Sequence, residues 1–282
     1  MNRRFRTSLL LAAAIGIGAL GLWAFWLEPA SLRVATYRLN LPRWPAACSG
    51  LSVAVISDLH VGSPFNGVAK LERVVADTQA ARPDLVLLAG DFVIQGVRGG
   101  RFVAPEVTAA KLGELVAPLG VFAVLGNHDW WLDGPRVRAA FETHGIPVLE
   151  NRAAALRRGD CAFSVVGIGD YWEGQPNVQA ALQSVPPSES VLALTHNPDV
   201  FPDVPDRVSL TIAGHTHGGQ VMVPFVGRPI VPSRYGERFA LGPVVENGRH
   251  LFVTPGVGTS ILPVRFLVPP EISVLVLGSA DP

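Results

Sequence analysis

Cysteine is nearly absent from this chain: Cys48 and Cys161 are the only two among 282 residues, far apart and in no CxxC or Cys/His finger spacing. That excludes a zinc ribbon and a disulfide-framework fold, and it leaves the redox compartment open. Charge is scarce and balanced as well. Charged residues make up 16% of the chain, with 23 Lys plus Arg against 23 Asp plus Glu. No basic block follows the first few residues, so the electrostatic footprint of a nucleic-acid binder is missing and no nucleic-acid partner is expected. Internal repeats and low-complexity tracts are lacking too. Apolar residues are plentiful at 49%, enough to build the core of one large domain.

Residues 9–27, LLLAAAIGIGALGLWAFWL, carry no charge and follow a basic tail (residues 1–8) containing Arg3, Arg4 and Arg6. At about 1.5 Å per residue, such a helix nearly spans a hydrocarbon core of roughly 30 Å. The leading reading is a single-pass transmembrane anchor in the cell membrane. A cleaved signal peptide is the rival, but the run is longer than an h-region, and Trp23 and Trp26 resemble interfacial belt residues rather than a cleavage site. Arg33, Arg38 and Arg43 beyond the run blunt the positive-inside signal. The free amino terminus favours a cytoplasmic N-terminus and an extracytoplasmic domain, with a cytoplasmic-facing domain as the alternative. Residues 28–50, with Pro29, Pro42 and Pro45, read as a linker and entry strand. The domain proper is expected over 51–278.

From residue 51 the apolar runs LSVAVIS, DLVLLAG, VFAVLG, SVLALT and VSLTIAG look like strands buried on both faces of a sheet. Helical spacing at 68–81 and 107–116 separates the first three, which predicts βαβ units and an α/β fold. Every run ends in polar chemistry: Asp58 and His60; Asp91; Asn127, His128 and Asp129; His196; His215 and His217. Parallel strands carry their carboxyl ends to one edge, where open α/β sheets bind ligands. Of the seven histidines only His144 and His250 lie elsewhere. One Asp after a strand is ordinarily a cap, and one buried His is ordinarily a hydrogen-bonded core residue. Five such turns together point to a metal site, and carboxylate, amide and imidazole donors without thiolate suit manganese, iron or zinc.

Asp58-x-His60, Gly90-Asp91, Gly126-Asn127-His128-Asp129, His196 and Gly214-His215-Thr216-His217 resemble the ordered signature of the calcineurin-like metallophosphoesterases. GGQ at 218–220, PSRYGERF at 232–239 and GVGTSILPVRF at 256–266 are similar to the membrane-associated bacterial YkuE-type branch. The resemblance implies a four-layer α/β/β/α sandwich, two mixed sheets flanked by helices, with two divalent metal ions at the strand ends. It assigns Asp58, His60 and His217 to one ion, Asn127, His196 and His215 to the other, and Asp91 to both. A water acidified between the ions would attack phosphorus in line, and His128 would serve the leaving oxygen as the catalytic acid. Asp129 would orient His128 or cap the helix that follows.

The expected function is therefore hydrolysis of a phosphomonoester, phosphodiester or pyrophosphate at a membrane. The substrate would be a phosphate ester, lipid-linked or nucleotide. The branch also resembles enzymes cleaving the pyrophosphate of UDP-2,3-diacylglucosamine in lipid A synthesis, a substrate that requires cytoplasmic access. A catalytically inactive scaffold of the same fold is the alternative of another class, and the complete ligand set argues against it. Trp130 and Trp131 are expected at the site's mouth, as a substrate wall or as a helix N-terminus. Arg234 and Arg265 are candidate phosphate forks, or surface ion-pair partners.

Overall fold

The computed structural model describes residues 3–280. Met1 and Asn2 of the basic tail lie outside the described residues. Helix α1 (Arg3–Leu22) continues through a π-helical turn (Trp23–Leu27) into Glu28–Ala30. Pro29 accounts for the wide turn, since it offers no N–H to the carbonyl four residues earlier and its ring crowds that carbonyl. The span Arg4–Ala30 is long and apolar enough to cross a membrane.

The segment after the helix joins the main sheet. Strand β1 (Arg33–Leu41) pairs in parallel with β11 (Glu271–Ser279) from Arg33 opposite Glu271 to Leu41 opposite Ser279. The Glu271 carboxylate accepts from Arg33 (2.6 Å) and from the Tyr37 hydroxyl (2.9 Å).

Three of the expected runs form β2 (Leu51–Ile56), β3 (Leu85–Leu88) and β4 (Val121–Ala123), all parallel. With β1 and β11 they make a mixed sheet in the order β1-β11-β2-β3-β4. A second mixed sheet has the order β5-β6-β7-β8-β10-β9, built from β5 (Arg152–Arg158), β6 (Cys161–Gly167), β7 (Val191–Leu194), β8 (Leu210–Ala213), β9 (Gly242–Glu246) and β10 (Arg249–Val253).

Strand alternation then sets the layers. Val53, Val55, Leu85 and Leu87 point between the sheets and meet Phe163, Val165, Leu192 and Ile212. Ala54, Ile56, Val86 and Leu88 point outward. They are covered by α2 (Val68–Ala80), α3 (Pro105–Leu112) and α4 (Asn127–Thr143). On the far side Val166, Val191 and Ala193 pack under α5 (Val178–Leu182) and the Pro198–Asp203 turn. The result is the expected α/β/β/α sandwich. Helical spacing over 107–116 overreached at its end, because Gly113 caps α3.

Cys48 and Cys161, left open by sequence, form a single disulfide with Cα atoms 4.7 Å apart. It ties the turn before β2 to the start of β6 across 113 residues, clamping one sheet to the other.

Candidate metal centre

Strands β2, β3 and β4 of one sheet and β7 and β8 of the other open at the same end of the sandwich, and the polar turns meet there. Asp58, His60, Asp91, Asn127, His196, His215 and His217 are all buried. Five of them, Asp58, His60, Asp91, His215 and His217, hold left-handed backbone, with φ between 39° and 69°. Such conformations are costly for residues with a Cβ, persist only where surrounding structure enforces them, and cluster at functional sites. Close backbone approach adds to this. A Cβ on Gly214 would sit 2.0 Å from the Ser57 hydroxyl, and one on Gly126 would sit 2.2 Å from Asp91 Oδ1.

The side chains form two clusters sharing an edge. In the first, His217 Nε2 lies 3.4 Å from Asp58 Oδ1 and 3.1 Å from His60 Nε2. In the second, His215 Nδ1 lies 3.1 Å from His196 Nε2. Asp91 Oδ2 stands between them, 3.5 Å from His60 Nε2 and 3.3 Å from His196 Nε2. Its other oxygen accepts the His128 backbone N–H at 2.9 Å.

The Nδ1 atoms of His60 and His196 face the carbonyls of Val93 (3.2 Å) and Ala89 (2.7 Å). A carbonyl only accepts, so in the neutral rings the proton sits on Nδ1 and the Nε2 lone pair points into the centre. Asn127 Oδ1 is buried there without a partner. Buried polar atoms are ordinarily satisfied, and converging lone pairs from carboxylate, amide and imidazole are the donor set of a divalent cation. Asp58, His60 and His217 form one group with ligand atoms within 4.8 Å of one another, and Asp91, His196 and His215 form another. The residues present fit a metal.

Burial holds the His60 and His215 imidazoles down to about 3 and His217 well below the usual range, so these rings are neutral and free to donate lone pairs at pH 7. Asp58 is pushed up to about 6 by burial, partly offset by His196. His196 is raised well above its ordinary value. Burial opposes this, but the carboxylates of Asp91, Asp58 and Asp170 together prevail.

His128 sits at the edge of the clusters, a ring nitrogen grouped with His60 and Asp91 within 4.8 Å. Its ring centroid is 4.7 Å from that of His60 and 4.8 Å from that of Trp131, and its Nδ1 has no partner. Asp129 does not bond to that ring. Its carboxylate instead accepts the N–H groups of Gly126 (2.9 Å), Asp91 (2.8 Å), Phe92 (2.9 Å) and Val93 (3.2 Å). It caps α4 and braces the Asp91 loop, so the orienting role does not hold.

The two tryptophans divide: Trp130 packs on the core beneath α4, and Trp131 lines a cavity of about 680 Å³ over Asp91, Asn127 and His128. Trp172 stacks beside Trp131 with ring centroids 6.3 Å apart, lines the same cavity, and has its ring 4.5 Å from that of His215. Trp172 is missing from the sequence-derived site because Ser164 and Gly167 interrupt the apolar run of β6 that precedes it. A signal existed, since the apolar run 161–168 ends in Gly169-Asp170, as 84–89 ends in Gly90-Asp91. Buried Asp170 accepts the backbone N–H groups of Trp172 (2.9 Å) and Glu173 (3.0 Å).

Neither arginine is placed as a phosphate fork. Arg265 is fully buried and donates to the carbonyls of Gly258, Val268, Pro255 and Gly256. It thereby fixes the turn whose Gly258 N–H bonds the Asp58 carbonyl at 2.7 Å. Arg234 donates to the Tyr171 hydroxyl.

Comparison with known proteins agrees with this geometry. The profile of the family described as calcineurin-like phosphoesterase matches residues 51–219. The chain is 29% identical to the uncharacterised metallophosphoesterase YkuE of Bacillus subtilis, covering 96% of this chain and 94% of that protein. It is 31% identical to the phosphodiesterase YaeI of Escherichia coli over 98% of both. It is 28% identical to the UDP-2,3-diacylglucosamine pyrophosphatase LpxG of Chlamydia trachomatis, covering 90% of this chain and 91% of that protein. The chain belongs to the calcineurin-like phosphoesterase family and is a metal-dependent hydrolase of phosphoric esters.

Proposed function

We propose that this protein is a membrane-anchored phosphoesterase working with two divalent ions. Asp58, His60 and His217 would hold one ion and Asn127, His196 and His215 the other, with Asp91 shared. The carrying observation is the position of Asp91 Oδ2, within 3.5 Å of His60 Nε2 and 3.3 Å of His196 Nε2, one from each cluster. The absence of thiolate favours manganese, iron or zinc. When bound, such a pair supplies Lewis acidity to a phosphoryl oxygen and lowers the pKa of water.

The chain's own residues do the rest. His128, which borders the cavity, transfers or shares a proton at the leaving oxygen. Trp131 and Trp172 flank the opening and limit access of bulk water. Asp129 holds the Asp91 loop against α4, fixing the distance between the clusters. A scaffold role is disfavoured, because no donor position is lost.

The long apolar helix supports anchorage in a membrane. The Cys48–Cys161 bridge supports a domain on the oxidising, extracytoplasmic side, since disulfides persist there and are rare in the cytosol. Likeness to LpxG favours a second reading, cleavage of UDP-2,3-diacylglucosamine. That reading requires access from the cytoplasm, against which the disulfide weighs. The test is a hydrolysis panel with the purified full chain, comparing UDP-2,3-diacylglucosamine, phospholipids, nucleotides and an aryl phosphodiester. Activity on none of them with manganese or zinc supplied would sink the enzyme reading, and preference for the first would favour the second reading.

A further inference from the structure

The C-terminal end of the apolar helix is stitched into the domain. The Ala24 carbonyl accepts the Arg265 N–H at 2.9 Å, and the Glu28 carboxylate accepts the N–H groups of Leu267 (3.0 Å) and Val268 (2.5 Å). Trp26 packs on Phe65 with ring centroids 5.3 Å apart. Ala24 lies three residues before the apolar run ends, or about 4.5 Å along a helix axis. The domain surface touching it is therefore at the depth of the membrane–water boundary if the helix spans.

That surface is apolar and strained. Phe65, Phe225, Ile261 and Leu267 all have left-handed backbone, with φ of 63°, 67°, 63° and 57°. Their exposures are 36%, 109%, 71% and 46%. For a β-branched residue such as Ile261 that conformation is an outlier, and its exposed side chain gains no burial in return. The turns bearing these residues are laced together: Met222 N–H bonds Phe266 O, Arg98 N–H bonds Ile261 O, and Arg101 N–H bonds Gly62 O. Arg98 and Arg101 are exposed beside them and form no ion pair among the described residues. Residues of the same turns, Gly96, Val221, Ile261 and Leu262, also line the cavity over Asp91.

We propose that Phe65, Phe225, Ile261 and Leu267, with Arg98 and Arg101, form a lip seated in the headgroup region of the anionic bilayer that the helix crosses. The mouth of the metal centre then opens onto the lipid surface. The proposal rests on the membrane-anchored reading. Apolar side chains enter the acyl boundary while the guanidinium groups meet anionic headgroups, the usual division for an interfacial surface. The helix supplies continuity, because the lip begins where the helix leaves the bilayer.

The test uses the full chain in nanodiscs of phosphatidylcholine and phosphatidylglycerol, with and without brominated acyl chains that quench tryptophan emission. Phe225→Trp and Ile261→Trp are compared with Val116→Trp, an equally exposed position (75%) in the loop entering β4, at the opposite strand edge. The expected result is that the emission added at 225 and 261 is lost in brominated bilayers and that added at 116 is kept. Quenching of wild-type Trp23 and Trp26 reads the anchor separately. If wild-type emission is quenched while 225 and 261 behave like 116, the lip is overturned and the anchor stands. If wild-type emission is untouched, both fall.

Discussion

His60 Nε2 and His217 Nε2 face each other at 3.1 Å, both buried, from strand ends 157 residues apart in sequence. Without a metal, one neutral ring can donate an N–H to the other; a cation between them would instead draw a lone pair from both. Removing metal should therefore destabilise the fold. A ligand present at about 1,000 times its dissociation constant contributes roughly 4 kcal/mol, so chelation is expected to lower Tm by on the order of 10 °C for a domain of this size. Differential scanning fluorimetry with chelator, then with manganese or zinc restored, checks this. No change in Tm would count against a resident metal.

His128 lines the cavity, and its Nδ1 has no hydrogen-bond partner among the described residues. His128→Ala is expected to reduce kcat by about 10²–10⁴-fold, the usual contribution of a positioned acid, with metal content unchanged. Elemental analysis beside kinetics on an aryl phosphodiester separates the two effects. Loss of metal in this variant would reassign His128 as a ligand.

The Cys48–Cys161 bridge closes a loop spanning 113 residues. A crosslink over about 100 residues contributes up to roughly 4–5 kcal/mol through the unfolded chain. Replacing both cysteines by serine should lower the urea midpoint markedly and leave the metal ligands in place. Equal midpoints for both proteins would show that the bridge contributes nothing.

Lys70 gives a pH signature outside the metal centre. Burial, with Arg265 and Arg73 nearby, pushes its ammonium down from 10.5 to about 7. Below pH 7 folded and unfolded chains both carry the proton, and the penalty for the buried cation is complete. Between about 7 and 10.5 the folded chain has shed a proton that the unfolded chain still holds, so stability from this group rises with pH. Urea unfolding of the full chain should show that rise from pH 7 to 9, and Lys70→Met should flatten it. A parallel rise in both proteins would place its origin elsewhere.

Much of this was legible in sequence because buried parallel strands write themselves as unbroken apolar runs, and the ligands follow them directly. LSVAVIS and VSLTIAG announced β2 and β8, and His215 and His217 came with the second. Less legible were edge strands such as β1 and β5, whose half-exposed residues give no such run. Side-chain destinations were hidden as well. Arg265 reads like an anion binder in LPVRF, yet the loop folds around it and its side-chain donors all go to carbonyls. Trp172 lies on a loop, where no period reports which way a ring points. The pairing of Cys48 with Cys161 depends on how the two sheets stack, which local spacing does not encode.

The sharing of Asp91 between two clusters is tested most directly by counting metal in the purified full chain before and after Asp91→Ala, with hydrolysis of an aryl phosphodiester measured on the same samples. The account predicts about two transition-metal ions per wild-type chain, as expected of a two-metal phosphoesterase, with metal and activity lost together in the variant. A variant that keeps both ions, or an active wild-type chain that carries none, would contradict it.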